Sequence, residues 1–115
     1  MQDRVFSLLG IAARAGRIAA GGFSAEEAVR SRKAKLVVLA EDAKPNTIKK
    51  FTDKCSYYKI PLRYYGTKEA LGHAVGRQSR ACIAVTDRGF AESILKYELR
   101  ESAGKGGGCG GNENQ

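Results

Sequence analysis

No stretch of this 115-residue chain is apolar for long enough to cross a bilayer, and its opening, MQDRVFSLLG, has early charges in place of the apolar run of a secretory signal. Both absences lead us to expect a cytoplasmic protein with no membrane partner. Cysteine is scarce: Cys55, Cys82 and Cys109 are odd in number, far apart, and show neither a CxxC pair nor a histidine at ligand spacing. No metal site is expected. Cys55 and Cys82 fall at positions that read as buried, so they are small core residues of a reducing compartment. The lone histidine, His73, has no acid or nucleophile beside it and reads as an ordinary helix residue. No glycine-rich phosphate loop follows an apolar segment, so no cofactor or small-molecule substrate is expected.

Acid is the remaining shortage. Lys and Arg number 20 against 12 Asp and Glu, a formal charge of +8. The tail from Glu101 holds Lys105 against Glu101 and Glu113, so residues 1–100 carry +9. A polyanion, most often nucleic acid and less often an anionic membrane, is the usual partner of such a body, although net charge also keeps small proteins apart.

What is present is an alternation of helices and strands in one domain long enough to bury a core. Leu36 to Ala40 form a five-residue apolar run, β-branched at its centre, which predicts a strand buried on both faces. Glu41 and Asp42 end it, and Pro45 suits the first turn of a helix. That helix buries Ile48, Phe51 and Cys55, while Lys49, Lys50 and Lys54 point elsewhere, either along a groove for a polyanion or into water. Upstream, Val5, Leu8, Leu9, Ala12 and Ala13 mark one face of a first helix, capped by Asp3 and ended by Gly16. Arg17 to Ala20 make a short strand before Gly21 and Gly22. Ser24 and Glu27 are spaced as a capping box, ahead of a narrow stripe of Ala25, Ala28 and Val29. The cations Arg30, Arg32, Lys33 and Lys35 close that helix, partly as complements to its carbonyl end.

Downstream, Leu62 to Tyr65 predict a second short strand and Thr67 the start of a helix through Ala74, with Gly72 and Gly76 around His73-Ala74-Val75. Ala81 to Thr86 read as another inner strand. Asp87 caps a last helix that buries Phe90, Ile94 and Leu95, with Leu99 near its end. Four of the five tyrosines come as adjacent pairs, Tyr57-Tyr58 and Tyr64-Tyr65; one of each pair should face inward, which leaves the outward ones as candidate stacking surfaces. From Ser102 the chain is Gly-rich and cannot offset its ordering entropy. The domain should therefore span residues 1–101 and a disordered tail residues 102–115.

Four sequence words in this order, AKLVVLAEDAKPNT, YYKIP after Cys55, KEALGHAVG and IAVTDRGFA, resemble the kink-turn-binding ribosomal proteins of the archaeal L-seven-Ae type, and in particular their bacterial YlxQ-like branch. The resemblance runs over roughly residues 4 to 99. It implies a three-layer α/β/α sandwich with a four-stranded mixed sheet, no catalytic activity, and binding of structured RNA or ribosomal RNA through loops at one end; the chain is expected to act as a monomer. Relatives that bind kink-turns read sheared G·A pairs with a Gly, an Asn-Glu pair and a Lys one turn on. Here those positions hold Gly21, Phe23-Ser24 and Glu27, so the resemblance implies altered kink-turn specificity. A Glu in place of a Lys beside phosphates turns attraction into repulsion.

The resemblance also places Ile48 near a flipped nucleotide and Lys68 near the RNA backbone. The loop after Gly76 is usually more apolar in relatives; here it is Arg77-Gln78-Ser79-Arg80, whose cations suit phosphates rather than base edges. The expected RNA-binding set is Gly21, Gly22, Phe23, Lys44, Ile48, Lys68, Arg77, Gln78 and Arg80. Arg14 and Arg17 could reach the same end. Two other functions compete. An enzyme would use Glu41, Asp42 and Asp87 at the carboxyl ends of the strands, although Asp42 and Asp87 are accounted for as helix caps. A protein-interaction module would keep the fold without specific RNA recognition, with Phe23 as its anchor.

Overall fold

The computed structural model describes residues 4–97 and Leu99. The expected cap Asp3, Cys109 and the tail from residue 102, together with the domain boundary before it, lie outside the described residues. Nine elements follow in order: α1 Arg4–Arg14, β1 Ile18–Ala20, α2 Gly22–Arg30, β2 Leu36–Leu39, α3 Pro45–Tyr58, β3 Leu62–Tyr64, α4 Lys68–Ala74, β4 Cys82–Val85 and α5 Arg88–Leu95.

The four strands form one mixed sheet in the order β1-β4-β2-β3, so the two apolar runs supply the two inner strands. Strand β4 is antiparallel to both its neighbours, with Leu36 opposite Val85 and Leu39 opposite Cys82, whereas β2 and β3 are parallel with Leu39 beside Tyr64. Every residue of β2 and β4 is buried. Because strand side chains alternate, each inner strand feeds two cores. Leu36, Val38, Ile83 and Val85 meet Val5 and Leu9 of α1, Leu71 of α4 and Ile94 of α5 on one face. On the other face Val37, Leu39, Cys82 and Ala84 meet Ala25 and Val29 of α2 and Phe51 and Cys55 of α3. The result is the expected three-layer sandwich, with α1, α4 and α5 on one side and α2 and α3 on the other.

Several local expectations hold in detail. Gly16 turns the chain out of α1 at φ 72°. Pro45 opens α3. Thr67 Oγ1 accepts from the Ala70 amide, and Asp87 Oδ2 accepts from the Phe90 amide, so both helices are capped as the sequence suggests. Tyr57 is exposed and Tyr58 half-buried, while Tyr64 is buried and Tyr65 half-buried.

Three expectations fail. The capping box is absent: α2 starts at Gly22, its N-cap is Gly21 at φ 96°, and no side chain caps it. The Gly21 amide donates to the Cys82 carbonyl at 3.0 Å, so the sheet ladder runs into the helix with no residue to spare for a Ser cap. Ser24 therefore lies inside the helix, and Glu27 instead pairs with Arg30. Asp42 caps a helix other than the one it precedes: its Oδ1 accepts from the Lys68 amide at 2.8 Å, tying β2 to the start of α4, whereas Lys44 stands at the N-cap of α3. Leu99 lies beyond the end of α5, although it packs half-buried on the core beside that helix.

Candidate nucleic-acid interface

Strand directions decide which loops meet. With β4 reversed against β1 and β2, and β3 parallel to β2, one end of the sheet collects the exits of β1, β2 and β3 and the entry to β4. Gly21 to Phe23 leave β1 there, Glu41 to Lys44 leave β2, Gly66 to Lys68 leave β3, and Arg77 to Ala81 lead into β4. Main-chain bonds stitch these segments together: Gly21 N to Cys82 O at 3.0 Å, Ala40 N to Ala81 O at 2.8 Å, Glu41 N to Gly66 O at 2.7 Å, and Arg80 N to Lys68 O at 2.9 Å. Eight of the nine residues named from the sequence belong to these segments, and the ninth, Ile48, lies in the first turn of α3, which follows Lys44.

The tightest fixture is Gly72. A Cβ built there would lie 1.5 Å from the Gln78 carbonyl oxygen and 2.9 Å from Ser79 Cα. The loop thus rests directly on the backbone of α4, held also by Arg77 N to Gly72 O at 2.8 Å. Arg80 lies across Gly21, with its Nε 3.6 Å from where a Cβ would be. Beside it Gly21, Gly22, Phe23, Ser24, Ser79 and Arg80 line an open cavity of about 400 Å³. Phe23 is 81% exposed, the most exposed large apolar side chain among the described residues. Gly22 has nothing within 4 Å of an added Cβ, leaving the first turn of α2 open to a close approach. Ile48 sits half-buried in the first turn of α3, against both cores.

Charge is distributed unevenly. Lys50 and Lys54 both face Glu26 of α2, at 3.4 and 3.5 Å, and Lys49 pairs with Asp53 at 3.2 Å. Lys50 and Lys54 thus tie α3 to α2, and Lys49 pairs within α3. Burial works to raise the Glu26 carboxyl, but hydrogen bonds and charge from Lys50 and Lys54 outweigh it and hold the group below the ordinary carboxylate range. By contrast, among the described residues Lys44, Lys68 and Arg77 have no carboxylate partner, and the Arg80 guanidinium donates only to the Ser79 carbonyl.

Other candidates separate from this end. Arg17 precedes β1, and its carbonyl accepts from Thr86 at the far end of β4, so it cannot join Gly21. Arg14 borders Ala74, Val75 and Gly76 at the end of α4, where the chain leads into the loop, and does not line the cavity at Gly21 and Arg80. Antiparallel pairing of β2 with β4 puts Glu41 and Asp42 at one end of the sheet and Asp87 at the other, so the three acids expected at a common enzyme site are apart. Among the described residues no three His, Cys, Asp or Glu groups gather to hold a metal. Burial pushes the Cys55 thiol up to about 12 and is also the main cause lifting Cys82 to about 11, which leaves neither a nucleophile. No helix of the described residues is long and apolar enough to cross a membrane.

Sequence reasoning missed the floor under the loop. A Gly in a helix reads as a weak spot, and only the contact with Gln78 shows why Gly72 is there. It also missed Asp42 as the tie that fixes Lys68.

Residues 3–95 match the family described as ribosomal protein L7Ae/L30e/S12e/Gadd45. The chain is 44% identical over 90 residues to the RNA-binding protein YlxQ of Bacillus subtilis strain 168, covering 78% of this chain and 90% of that protein. A protein from Enterococcus faecium, also named RNA-binding protein YlxQ, is 34% identical over 91 residues, covering 79% of this chain and 87% of its own length. Among solved structures, a protein of unknown function from Bacillus halodurans superposes with a TM-score of 0.79 at 38% identity, covering 83% of this chain and 96% of the other. The Giardia lamblia 15.5kD RNA binding protein shares the fold, with a TM-score of 0.72 at 23% identity over 84% of this chain and 88% of its own.

Proposed function

This chain belongs to the ribosomal protein L7Ae/L30e/S12e/Gadd45 family, and from that premise we propose that it is a non-catalytic, cytoplasmic RNA-binding protein acting as a monomer on structured RNA or ribosomal RNA. The observation that carries the proposal is the convergence of Gly21, Gly22 and Phe23 with Lys44, Lys68, Arg77 and Arg80 at one end of the sheet. The cations there lack carboxylate partners while the lysines of α3 have them. Lys44, Lys68, Arg77 and Arg80 hold phosphates, Gly21 and Gly22 let the backbone approach, and Gln78 offers an amide at the loop tip. Phe23 supplies a face on which an unpaired base stacks, a sequence-tolerant contact, in place of a side chain that reads base edges. Ile48 packs under that nucleotide. Backbone contacts then dominate, and recognition of the standard kink-turn is altered by Phe23, Ser24 and Glu27.

The test is a titration against a standard kink-turn RNA and a duplex of equal length, each at two salt concentrations. We expect salt-steep binding, with log K falling less steeply for the Arg77→Ala/Arg80→Ala variant by roughly 0.9 per cation removed. Unchanged affinity and slope in that variant would remove the loop from the interface. Absence of binding by the parent at low salt would favour the second reading, a protein-interaction module anchored on Phe23, whose 81% exposure is also that of a hot-spot aromatic waiting for a pocket.

A further inference from the structure

The pole of the sheet opposite Gly21 carries a second group of cations that the proposed function does not use. Here β1, β2 and β3 begin and β4 ends, α2 and α3 terminate, and α5 starts. Main-chain bonds again join the segments, Lys35 N to Val85 O at 2.7 Å and Val37 N to Pro61 O at 3.0 Å. Between them lies a cavity of about 440 Å³ whose walls include Arg32, Lys35, Lys59 and Arg88. Among the described residues Glu92 is the one acid in that wall, and it pairs with Arg88 at 3.2 Å on the surface, so three of the four cations there have no carboxylate partner among those residues.

The backbone adds a second sign. Arg32 at φ 65° and Lys59 at φ 60° are the two non-glycine residues with left-handed backbone among the described residues, and both line this cavity. Gly or Asn would end α2 and α3 with less strain. Cations near helix carboxyl ends complement the dipole, which accounts for Arg32 and Lys59 without a ligand. That account fails for the other two. Lys35 precedes a strand, and Arg88 opens α5, where the dipole repels a cation. An aromatic flanks the cavity as well. The Arg32 guanidinium covers Tyr58, 5.2 Å from the ring centre, while Tyr57 leans edge-on against Tyr58 and is itself 75% exposed.

We infer that this pole is a second RNA-binding surface, with phosphodiester oxygens held among Arg32, Lys35, Lys59 and Arg88 and an unpaired base stacked on Tyr57. It goes beyond the proposed function by giving one chain two RNA contacts at opposite ends of its sheet. Such a chain clamps two segments together, whether of one folded RNA or of two.

The experiment uses the full chain with a kink-turn RNA and a 20-nucleotide oligouridine as probes, read by native mass spectrometry for stoichiometry and by titration at several salt concentrations. The pole variant is Lys35→Gln/Lys59→Asn/Arg88→Gln, in which Asn accepts the left-handed backbone and so spares the fold. We expect the parent to carry two RNA molecules per chain and the pole variant one. Its oligouridine salt slope should fall by roughly 0.7 per cation removed. Tyr57→Ala should weaken oligouridine by about tenfold, within the range for loss of one stacked base. The Arg77→Ala/Arg80→Ala variant should keep the pole contact. A parent that takes up one RNA per chain, with the pole variant indistinguishable from it, overturns the second surface and leaves the proposed function standing; a parent that binds neither RNA overturns both. Loss in the pole variant of binding to phosphatidylserine vesicles or polyglutamate, with RNA binding unchanged, would also overturn the inference by assigning the pole to another polyanion.

Discussion

Replacing Gly72 by Ala puts the packing of the Arg77 to Arg80 loop to a test in which two effects oppose each other. In an unhindered helix interior the change stabilises by roughly 0.5–1 kcal/mol, because Gly gives up more backbone freedom on folding. Here the new methyl would stand 1.5 Å from the Gln78 oxygen and 2.4 Å from its carbonyl carbon. A tolerable contact begins near 3.0 Å, so the loop backbone must retreat by at least the difference of 1.5 Å. Overpacking of this kind costs about 1–3 kcal/mol. A retreat of that size also strains the bonds from Arg77 N to Gly72 O and from Arg80 N to Lys68 O, at 2.8 and 2.9 Å. Each is worth about 0.5–1.5 kcal/mol net. Set against the propensity gain, the balance is a loss of about 2–4 kcal/mol, enough to lower Tm by on the order of 10–20 °C in a domain of this size. Urea titration followed by far-UV circular dichroism measures it directly. The same variant should bind RNA with a flatter salt dependence, since the loop cations move. A Gly72→Ala protein at least as stable as the parent would refute the reasoning, for the loop would then be free to yield.

Two further predictions follow from ionisable groups. The Glu26 carboxyl titrates below its ordinary value in the folded state, so its pairing with Lys50 and Lys54 stabilises fully above that ordinary value and is lost as pH falls through the depressed one. Glu26→Gln should cost under ~1 kcal/mol at neutral pH, and its difference from the parent should vanish at pH low enough to protonate the parent carboxyl; a difference independent of pH in chemical denaturation would sink this. Of the three cysteines, Cys55 and Cys82 should escape a thiol reagent such as DTNB at pH 8 until the chain is unfolded, because burial raises both thiols far above that pH. Prompt reaction of more than one thiol per native chain would contradict their placement in the core.

Where the sequence was legible, short-range physics set the outcome. Leu36 to Ala40 could satisfy their apolar side chains only between two layers, and Thr67 and Asp87 announce their helices by chemistry confined to three residues. Ser24 and Glu27 obey the same local rule and still mislead. Gly21 is bonded to Cys82, 61 positions away in the chain, and that bond starts α2 early. The partners of Lys50 and Lys54 were hidden for a similar reason, since Glu26 reaches them only through the packing of α2 on α3. Composition gave the positive charge but not its distribution. The direction of β4 does that, by taking Arg17 and Asp87 to one end and Arg80 to the other. In the candidate interface, the residues were readable one by one, whereas their assembly depends on a sheet register that no local pattern encodes.

The main-chain bonds from Gly21 to Cys82, Glu41 to Gly66 and Arg80 to Lys68 have a kinetic meaning. Segments already tied into a ladder give up little motion when a ligand arrives, so the protein's share of the ordering cost is small. An RNA partner would then do most of the shape-changing. The rate of complex formation would follow the fraction of time that the RNA spends in a fitting conformation, and the protein would behave as a rigid template that traps it.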